Sequence, residues 1–170
     1  PIALYDSGAS RYLNAVEPSF GADSPRAESS WVRMLREMGY AFDFVASDQA
    51  AERLEGYKLL ILPMARALSD EEVEAIRAFH TGGGHVIADV APGAYDEHGA
   101  PRESPALADL FGVRWTGRSR GAEPAEGSVS LSEGSAVALA AVAADGSVEP
   151  DGSEPRGHAG ERPVWFVKRN

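Results

Sequence analysis

The stretch from residue 57 to residue 90 most constrains the fold, because it has the pattern of a strand, a helix and a second strand in succession. Residues 58–62 form a short apolar run that fits a strand buried on both faces, and Pro63 ends it because proline has no N–H to donate to a sheet. Ser69 is predicted to begin the helix. Its hydroxyl can accept a hydrogen bond from the amide of Glu72, whose own side chain can reach back to the amide of Ser69. This half of the stretch therefore predicts a buried strand and a capped helix.

Three consecutive glycines separate the helix from the second strand. Gly82, Gly83 and Gly84 are predicted to end the helix, since the residue just past a helix C-terminus usually needs a positive φ. Residues 85–90 then form a second apolar run. Two strands joined by a helix make a right-handed parallel crossover, so the stretch predicts the building unit of an open α/β sheet.

Further elements are predicted on both sides of this unit. In chain order they are a strand at 2–5, a loop at 6–10, an irregular segment at 11–28, a helix from Ser29 or Ser30 to Gly39, a strand at 40–45, a helical turn at 48–54 capped by Asp48, and a short helix at 105–111 stopped by Gly112. Four strands with helices between them predict a three-layer α/β domain with a mainly parallel sheet of flavodoxin-like order.

The pattern changes at Val113. Helical periodicity disappears, and short β-like runs at 113–116, 128–131, 136–142 and 164–167 lie between clusters of Gly, Ser, Glu and Pro. The acidic stretch 145–161 has almost no apolar residues and is predicted to be a mobile loop. We therefore expect a single domain over 1–170, with an α/β core at 1–112 and a β-rich C-terminal extension at 113–170.

The composition excludes several classes of partner and site. The formal net charge of -10 argues against nucleic acid and against an anionic membrane surface, because both require clustered Lys and Arg. The chain has no cysteine, which removes disulfides, thiolate metal sites and cysteine nucleophiles. No membrane-spanning run and no signal segment is recognisable, so a soluble, cytoplasmic chain is expected. Because the chain begins at Pro1, we expect it to be a piece excised or processed from something longer.

Acidic side chains follow several of the predicted strands. Ligands of open α/β sheets lie beyond the carboxyl ends of the strands. The candidates for a ligand cleft there are Asp6, Asp48, Asp89, Asp96, Glu97 and His98. Carboxylates and an imidazole could hold a cation or hydrogen-bond a sugar. Acidic residues are also ordinary in exposed loops and helix caps, and this structural interpretation is favoured over a metal site.

No catalytic, cofactor-binding or metal-ligating residue is predicted. A phosphate loop needs a Gly-rich turn that leads into a helix, whereas residues 6–10 contain one Gly and no Lys. The serine elbow of a hydrolase follows none of the predicted strands. Asp96 and Glu97 are adjacent in sequence, so they cannot face each other across a glycosidic bond.

Several segments carry a family resemblance. They are the opening strand IALYDS, the Trp-containing segment SSWVRMLREMGYAFDFV, the strand and helix YKLLILPMARALSDEE, the Gly-rich turn into HVIADV, and the loop with Tyr95, Asp96 and Glu97. Their order and spacing are similar to those of the trimerisation domain of beta-galactosidases, a non-catalytic domain that resembles class I glutamine amidotransferases. The resemblance covers residues 1–112.

The resemblance implies a flavodoxin-like domain that follows a catalytic (β/α)₈ barrel in its parent enzyme. It also implies two partners, the parent's own barrel and other copies of the chain in a homo-oligomer, and no cofactor. Amidotransferases of this fold use a Cys on an elbow after a strand, whereas this chain has no Cys and has Ala91 and Pro92 there, so glutaminase chemistry is excluded.

Two hypotheses follow. The leading one is an accessory or oligomerisation domain of a beta-galactosidase-like glycoside hydrolase. The alternative is a domain that binds a sugar or a cation, or hydrolyses a small molecule, in the acidic cleft.

Overall fold

The computed structural model describes residues 1–16, 24–116, 123–125, 129–131, 136–137, 142–144, 147–159 and 162–169. The chain divides into two compact units, a first unit Pro1–Ala106 and a second unit Leu107–Asn170. The division lies at Leu107, whereas the sequence pattern changes at Val113. That the two units form a single domain stays a prediction.

The first unit alternates strands and helices. Its elements are β1 (Ile2–Asp6), α1 (Gly8–Val16), α2 (Ser24–Glu37), β2 (Phe42–Ala46), a 3-10 turn (Ser47–Gln49), α3 (Ala50–Arg53), β3 (Leu59–Leu62), α4 (Asp70–Thr81) and β4 (His85–Ala88). The strands form one parallel sheet in the order β2-β1-β3-β4. These are the first four positions of the flavodoxin-like strand order, so the predicted mainly parallel α/β sheet is confirmed.

The predicted capping box of α4 is confirmed. The amide of Glu72 donates to Ser69 Oγ over 3.2 Å, and the amide of Ser69 donates to Glu72 Oε2 over 2.6 Å. A cap of this kind contributes about 1 kcal/mol. At the other end the positive φ falls on Gly83, at 94°, while Gly84 is required for a different reason. A Cβ at Gly84 would lie 2.3 Å from the ring of Phe79, so any other residue there would force that ring to move.

The core of the first unit lies on both faces of β1. Ala3 and Leu4 point to opposite faces and neither has exposed surface. On one face Leu4 and Ile61 pack with Leu35 of α2, and Trp31 packs against this cluster. Burial of one such side chain stabilises the fold by about 1.5–3 kcal/mol. The helix α2 therefore covers the centre of one sheet face.

The predicted loop at 6–10 and irregular segment at 11–28 are wrong where α1 and α2 lie. Ser7 caps α1, because its hydroxyl oxygen accepts a hydrogen bond from the amide of Ser10 over 3.1 Å. This bond satisfies one of the amides that a helix leaves free at its start. The helix α2 begins at Ser24, before the predicted start at Ser29 or Ser30. Residues 17–23 lie outside the described part of the chain.

The second unit consists mostly of short antiparallel strands. Its elements are α5 (Ala108–Phe111), β5 (Val113–Trp115), β6 (Glu123–Ala125), β7 (Val129–Leu131), β8 (Ala136–Val137), β9 (Val142–Ala144), β10 (Val148–Pro150), β11 (Glu154–Ala159) and β12 (Arg162–Val167). The described strands pair as β10-β5, β12-β11-β7-β8 and β6-β9. The predicted β-rich extension is confirmed, and Gly112 ends α5 in the left-handed conformation, as predicted.

The predicted loop at 145–161 is wrong where β10 and β11 lie. The strand β11 pairs with β12 on one side and β7 on the other, so its backbone polar groups bond to two neighbours. Cross-strand pairing of this kind compensates for weak strand propensity. Of the predicted strand at 136–142, residues 138–141 lie outside the described part, as do residues 145, 146, 160 and 161 of the predicted loop.

Among the helices of the described residues, none is long and apolar enough to cross a lipid bilayer.

Candidate functional site

The carboxyl edge of the parallel sheet in the first unit is the candidate site. Four segments leave the strands there, namely α1 after β1, the 3-10 turn after β2, residues 63–69 after β3 and residues 89–95 after β4. The last two are joined by their backbones: the amide of Tyr95 donates to Arg66 O over 2.9 Å, and the amide of Leu68 donates to Tyr95 O over 3.1 Å. The segments that border a ligand crevice in enzymes of this architecture are therefore tied to each other here.

Two serines fix α1 to the segment after β3. The hydroxyl of Ser7 donates to Ala67 O over 3.0 Å. Ser10 Oγ donates to the same carbonyl over 2.8 Å and accepts from the Ala67 amide over 2.9 Å. Ser7 and Ser10 are buried and Ala67 is fully so. Because buried polar groups need partners, these bonds satisfy the backbone of Ala67 and the hydroxyls of both serines.

A buried arginine lies beside this contact. Arg66 has 1% of its surface exposed, and its guanidinium donates to Asn14 Oδ1 over 3.2 Å and to the Tyr95 hydroxyl over 3.3 Å. The guanidinium carbon also lies 5.0 Å from the centre of the Tyr95 ring, a distance at which the ring attracts a cation. Asn14 in turn donates to Met64 O over 3.3 Å. Arg66 thus joins α1 to the loop after β4 from the inside.

A second buried pair lies between β1 and α4. The Tyr5 hydroxyl donates to Glu72 Oε1 over 2.6 Å, and Glu72 is 7% exposed. Burial raises the pKa of Tyr5 far above its usual value, and the hydrogen bond to the Glu72 carboxylate raises it further. The carboxylate of Glu72 therefore stabilises the packing of α4 on β1 as well as the start of its own helix.

Asp89, directly after β4, connects three elements. One carboxylate oxygen accepts a short hydrogen bond from the amide of Met64 after β3. The other accepts from Trp31 Nε1 of α2 over 3.1 Å. Burial raises the pKa of Asp89 above its usual value, while these two N–H donors oppose the rise. Both oxygens of the Asp89 carboxylate therefore accept hydrogen bonds from the protein, and these bonds hold β4 to α2 and to the segment after β3.

The backbone is strained beside Asp89. Met64 after β3 has φ of 47°, and Val90 and Ala91 after β4 have φ of 37° and 42°. Positive φ is an outlier for a branched residue such as Val90, and each such residue costs about 1–3 kcal/mol. A strained turn after a strand is where related enzyme folds hold a nucleophile. Here the turn carries two aliphatic side chains.

The predicted cleft residues after β1 and β2 bind within the protein or lie on its surface. Asp6 forms an ion pair with Arg11 at 3.2 Å. Asp48 is exposed, and the predicted cap is wrong, because neither the 3-10 turn nor α3 has a side-chain cap bond. The residue before α3 is Gln49, so Asp48 lies one position too early to cap that helix.

The other three predicted cleft residues form a tight turn. Asp96 Oδ1 accepts from the amide of His98 over 3.0 Å and from that of Ala100 over 2.8 Å. The bond from Ala100 is the main reason that the pKa of Asp96 is lowered. Glu97 and His98 are exposed and lie 3.4 Å apart. The arrangement is an Asx turn, which an aspartate makes for structural reasons.

Within the described residues no group of three or more His, Cys, Asp or Glu side chains could hold a metal ion. A shallow groove is present elsewhere on the first unit, between α2 and β2, where Val32, Arg36 and Phe44 line it. The ligand cleft predicted from the sequence stays a prediction, and the carboxylates of Asp6, Asp89 and Asp96 already have internal partners.

Comparison with known proteins identifies the family. The model of the beta-galactosidase trimerisation domain matches residues 3–160, which is most of the chain. The chain belongs to the beta-galactosidase trimerisation domain family. No curated protein matches it. The resemblance predicted from residues 1–112 is thereby confirmed, and the match extends well into the second unit.

Solved structures show the same fold. A beta-galactosidase from Bacillus circulans sp. alkalophilus is 14% identical with a TM-score of 0.81, over 98% of this chain and 26% of that one. A cold-adapted beta-galactosidase from Rahnella sp. R3 is 20% identical with a TM-score of 0.79, over 98% and 26%. A beta-galactosidase from the Antarctic haloarchaeon Halorubrum lacusprofundi is 21% identical with a TM-score of 0.75, over 99% and 25%. The trimerisation domain thus spans about a quarter of the length of these three beta-galactosidases.

Sequence reasoning missed the side chains that close the edge of this trimerisation domain. They are Tyr5, Ser7, Ser10, Asn14 and Arg66. Two signals could have found some of them. Ser7 and Ser10 have the spacing of an N-cap and its third helical residue, and Arg66 interrupts an apolar run, which is typical of a buried charge with dedicated partners.

Proposed function

We propose that this chain is a non-catalytic accessory domain through which a beta-galactosidase-like glycoside hydrolase assembles into a homo-oligomer. The parent's catalytic barrel and other copies of the chain are the proposed partners. The family match supports the oligomeric part of the proposal, and one structural observation carries the non-catalytic part. The strained turn after β4, where enzymes of related fold hold a nucleophile, presents Val90 and Ala91, and the edge around it is closed by internal hydrogen bonds.

The chemistry of this edge supports a structural role. Acyl transfer needs a nucleophile with a base in reach and donors for the developing oxyanion. The two serines at the edge donate their hydroxyl protons to Ala67 O, and the Asp89 carboxylate accepts from backbone and indole N–H groups. No side chain in this arrangement is positioned to attack a substrate.

Light scattering tests the oligomeric part of the proposal. The 170-residue chain and the complete protein that contains it are measured across a concentration series, and the complete protein is expected to have three times the mass of one chain. A monomer at every concentration would contradict the proposal.

An activity assay tests the non-catalytic part. The 170-residue chain is expected to leave an aryl beta-galactoside intact, whereas the complete protein hydrolyses it. Hydrolysis by the chain alone, at a rate that scales with its concentration and survives repurification, would contradict a non-catalytic role.

A further inference from the structure

One face of the parallel sheet is only partly covered within the first unit. The Tyr5 side of the sheet faces α4, as the bond between Tyr5 and Glu72 shows. The Leu4 side faces α2. A four-stranded sheet is roughly 15–20 Å wide, since strands lie about 4.8 Å apart, whereas one helix is about 10 Å wide. One helix therefore cannot cover all four strands, and the side chains beyond its flanks stay exposed.

The uncovered part on the β4 side is apolar. Ile87 is in register with Ile61, so it points to the same face as α2, and it is 40% exposed. Trp31 reaches Asp89 after β4, which places the Trp31 flank of α2 above β3 and β4. Met34 and Met38 follow Trp31 by three and seven residues on that flank and are 40% and 60% exposed. We call Met34, Met38 and Ile87 the β4-side patch.

A second apolar patch lies on α1. Tyr12 and Val16 are four residues apart and so lie on one side of the helix, where they are 74% and 60% exposed. Ser10 and Asn14, on the other side of α1, are buried against the segment after β3. We call Tyr12 and Val16 the α1 patch. It lies at the carboxyl edge of the sheet, whereas the β4-side patch lies on the sheet face.

We propose that the β4-side patch of one copy docks on the α1 patch of the next copy, so that three copies close into a ring. This rests on the proposed function, and the stoichiometry is that of the family's name. A three-fold ring requires a heterologous interface, in which two different surfaces of each copy meet. Two separate apolar patches on one unit satisfy this requirement, whereas a two-fold dimer needs only one self-complementary surface.

The composition of the patches fits a protein partner. Interface cores are enriched in Met and aromatic residues and depleted of charge. The β4-side patch contributes two methionines and an isoleucine, and the α1 patch contributes a tyrosine and a valine. Methionine side chains adapt their shape to a neighbouring surface. A few residues carry most of the binding energy of a protein interface, and each patch supplies two or three apolar residues.

Paired variants of the complete protein test the proposal. Met34→Lys/Met38→Lys disables the β4-side patch, and Tyr12→Lys/Val16→Lys disables the α1 patch. Lysine is a good helix former, so both variants are expected to keep the wild-type circular dichroism. The matched control is Phe44→Lys. Phe44 is 46% exposed on β2, beside the opposite flank of α2.

The decisive measurement is the mass of a mixture of the two double variants by light scattering. Each double variant alone is expected to be monomeric, and the Phe44→Lys control trimeric. Mixed in equal amounts, the two variants are expected to form a dimer, because one intact patch of each kind remains available.

Three other outcomes overturn the proposal. Trimers in both double variants mean that other surfaces form the ring, while the proposed function survives. The variant with the β4-side patch disabled could remain a trimer but melt at a lower temperature. That result would mean that the patch contacts the parent's barrel and not another copy of the chain. A monomeric wild type refutes the proposed oligomerisation itself, and the docking with it.

Discussion

The removal of Ser7 and Ser10 tests whether internal hydrogen bonds close the carboxyl edge of the sheet. Both hydroxyls donate to the carbonyl of Ala67, and Ser10 also accepts from the Ala67 amide. Alanine at Ser10 keeps the helix propensity of α1, whereas alanine at Ser7 also removes the N-cap. The pair therefore isolates the bonds that fix α1 to the segment after β3.

The structure gives a different cost for each substitution. Ser7→Ala removes the acceptor for the Ser10 amide and should lower the free energy of unfolding by about 1 kcal/mol, the cost of a lost N-cap. Ser10→Ala leaves the buried amide of Ala67 without its acceptor, which costs about 2 kcal/mol within a range of 1–3. After either change the Ala67 carbonyl keeps one donor.

The double substitution should cost more than the sum. It removes both donors of the Ala67 carbonyl, which adds about 1–3 kcal/mol, so the total is about 5 kcal/mol with a coupling of about 2. That is a large part of the roughly 5–15 kcal/mol by which a domain is stable. Urea unfolding followed by circular dichroism measures it, with Ser104→Ala, an exposed loop serine, as a control within about 0.5 kcal/mol of wild type. Strictly additive single costs, or a double variant as stable as wild type, would refute the reasoning.

Three further outcomes are expected. Tyr5→Phe removes the donor to the buried Glu72 carboxylate and should lower the free energy of unfolding by about 1–3 kcal/mol. Tyr57→Phe removes a hydrogen bond to Asp43 at the surface and should cost less than half as much. Equal costs would contradict the buried pair. Burial raises the folded-state pKa of Asp89, so its contribution to stability is complete below the unfolded pKa near 4 and is lost as the pH rises through the folded value. The stability of wild type relative to Asp89→Asn, measured by urea unfolding from pH 4 to pH 7, should therefore fall, and parallel curves would show that Asp89 titrates normally. Calorimetry with divalent cations and galactosides should give no heat, because the carboxylates of Asp6, Asp89 and Asp96 have internal partners; heat that Asp89→Asn abolishes would favour the ligand-cleft alternative.

The elements that were predicted correctly have strong local signals. The capping box of α4 needs only residues three apart, and the glycines after α4 and α5 end their helices by local backbone geometry. The apolar runs of β3 and β4 are typical of strands buried in a parallel sheet. Local capping and hydrophobic periodicity thus predict the central strand, helix and strand.

The elements that were missed depend on distant partners. The start of α1 looks like a loop in sequence because Ser, Gly and Ala are common in turns, and its helix is fixed by Ala67, far along the chain. The strand β11 contains Pro155 and Gly157 and becomes a strand because β12 and β7 pair with it. Long-range hydrogen bonds decide these segments. The spacing of Ser7 and Ser10 is a local signal for a helix start, but it does not show their bonds to Ala67.

The candidate cleft stays a prediction, because the position of a carboxylate at a strand end does not identify what its oxygens bind. Strand order correctly places Asp6 and Asp89 at the carboxyl edge, but it does not tell what their oxygens bind. Asp89 lies close enough to Trp31 and Met64 to accept from both, and that depends on the packing of α2 against β4. A carboxylate at a strand end is a candidate ligand only until its internal donors are known.

The distribution of polar and apolar groups in the first unit favours a protein surface over a small ligand as its partner. A site for a sugar or a cation needs a few polar groups that face outward and lack internal partners. Here the arrangement is the reverse: Arg66, Glu72 and Asp89 bind inside the protein, while Met38 and Tyr12 are exposed. Exposed apolar groups gain free energy when another surface covers them, about 25 cal/mol for each Å² removed from water. The strained turn at Val90 has the shape that serves chemistry in related enzymes, but the polar groups that chemistry needs are used to hold the fold together. The exposed apolar groups of the first unit are therefore available to bind another apolar surface.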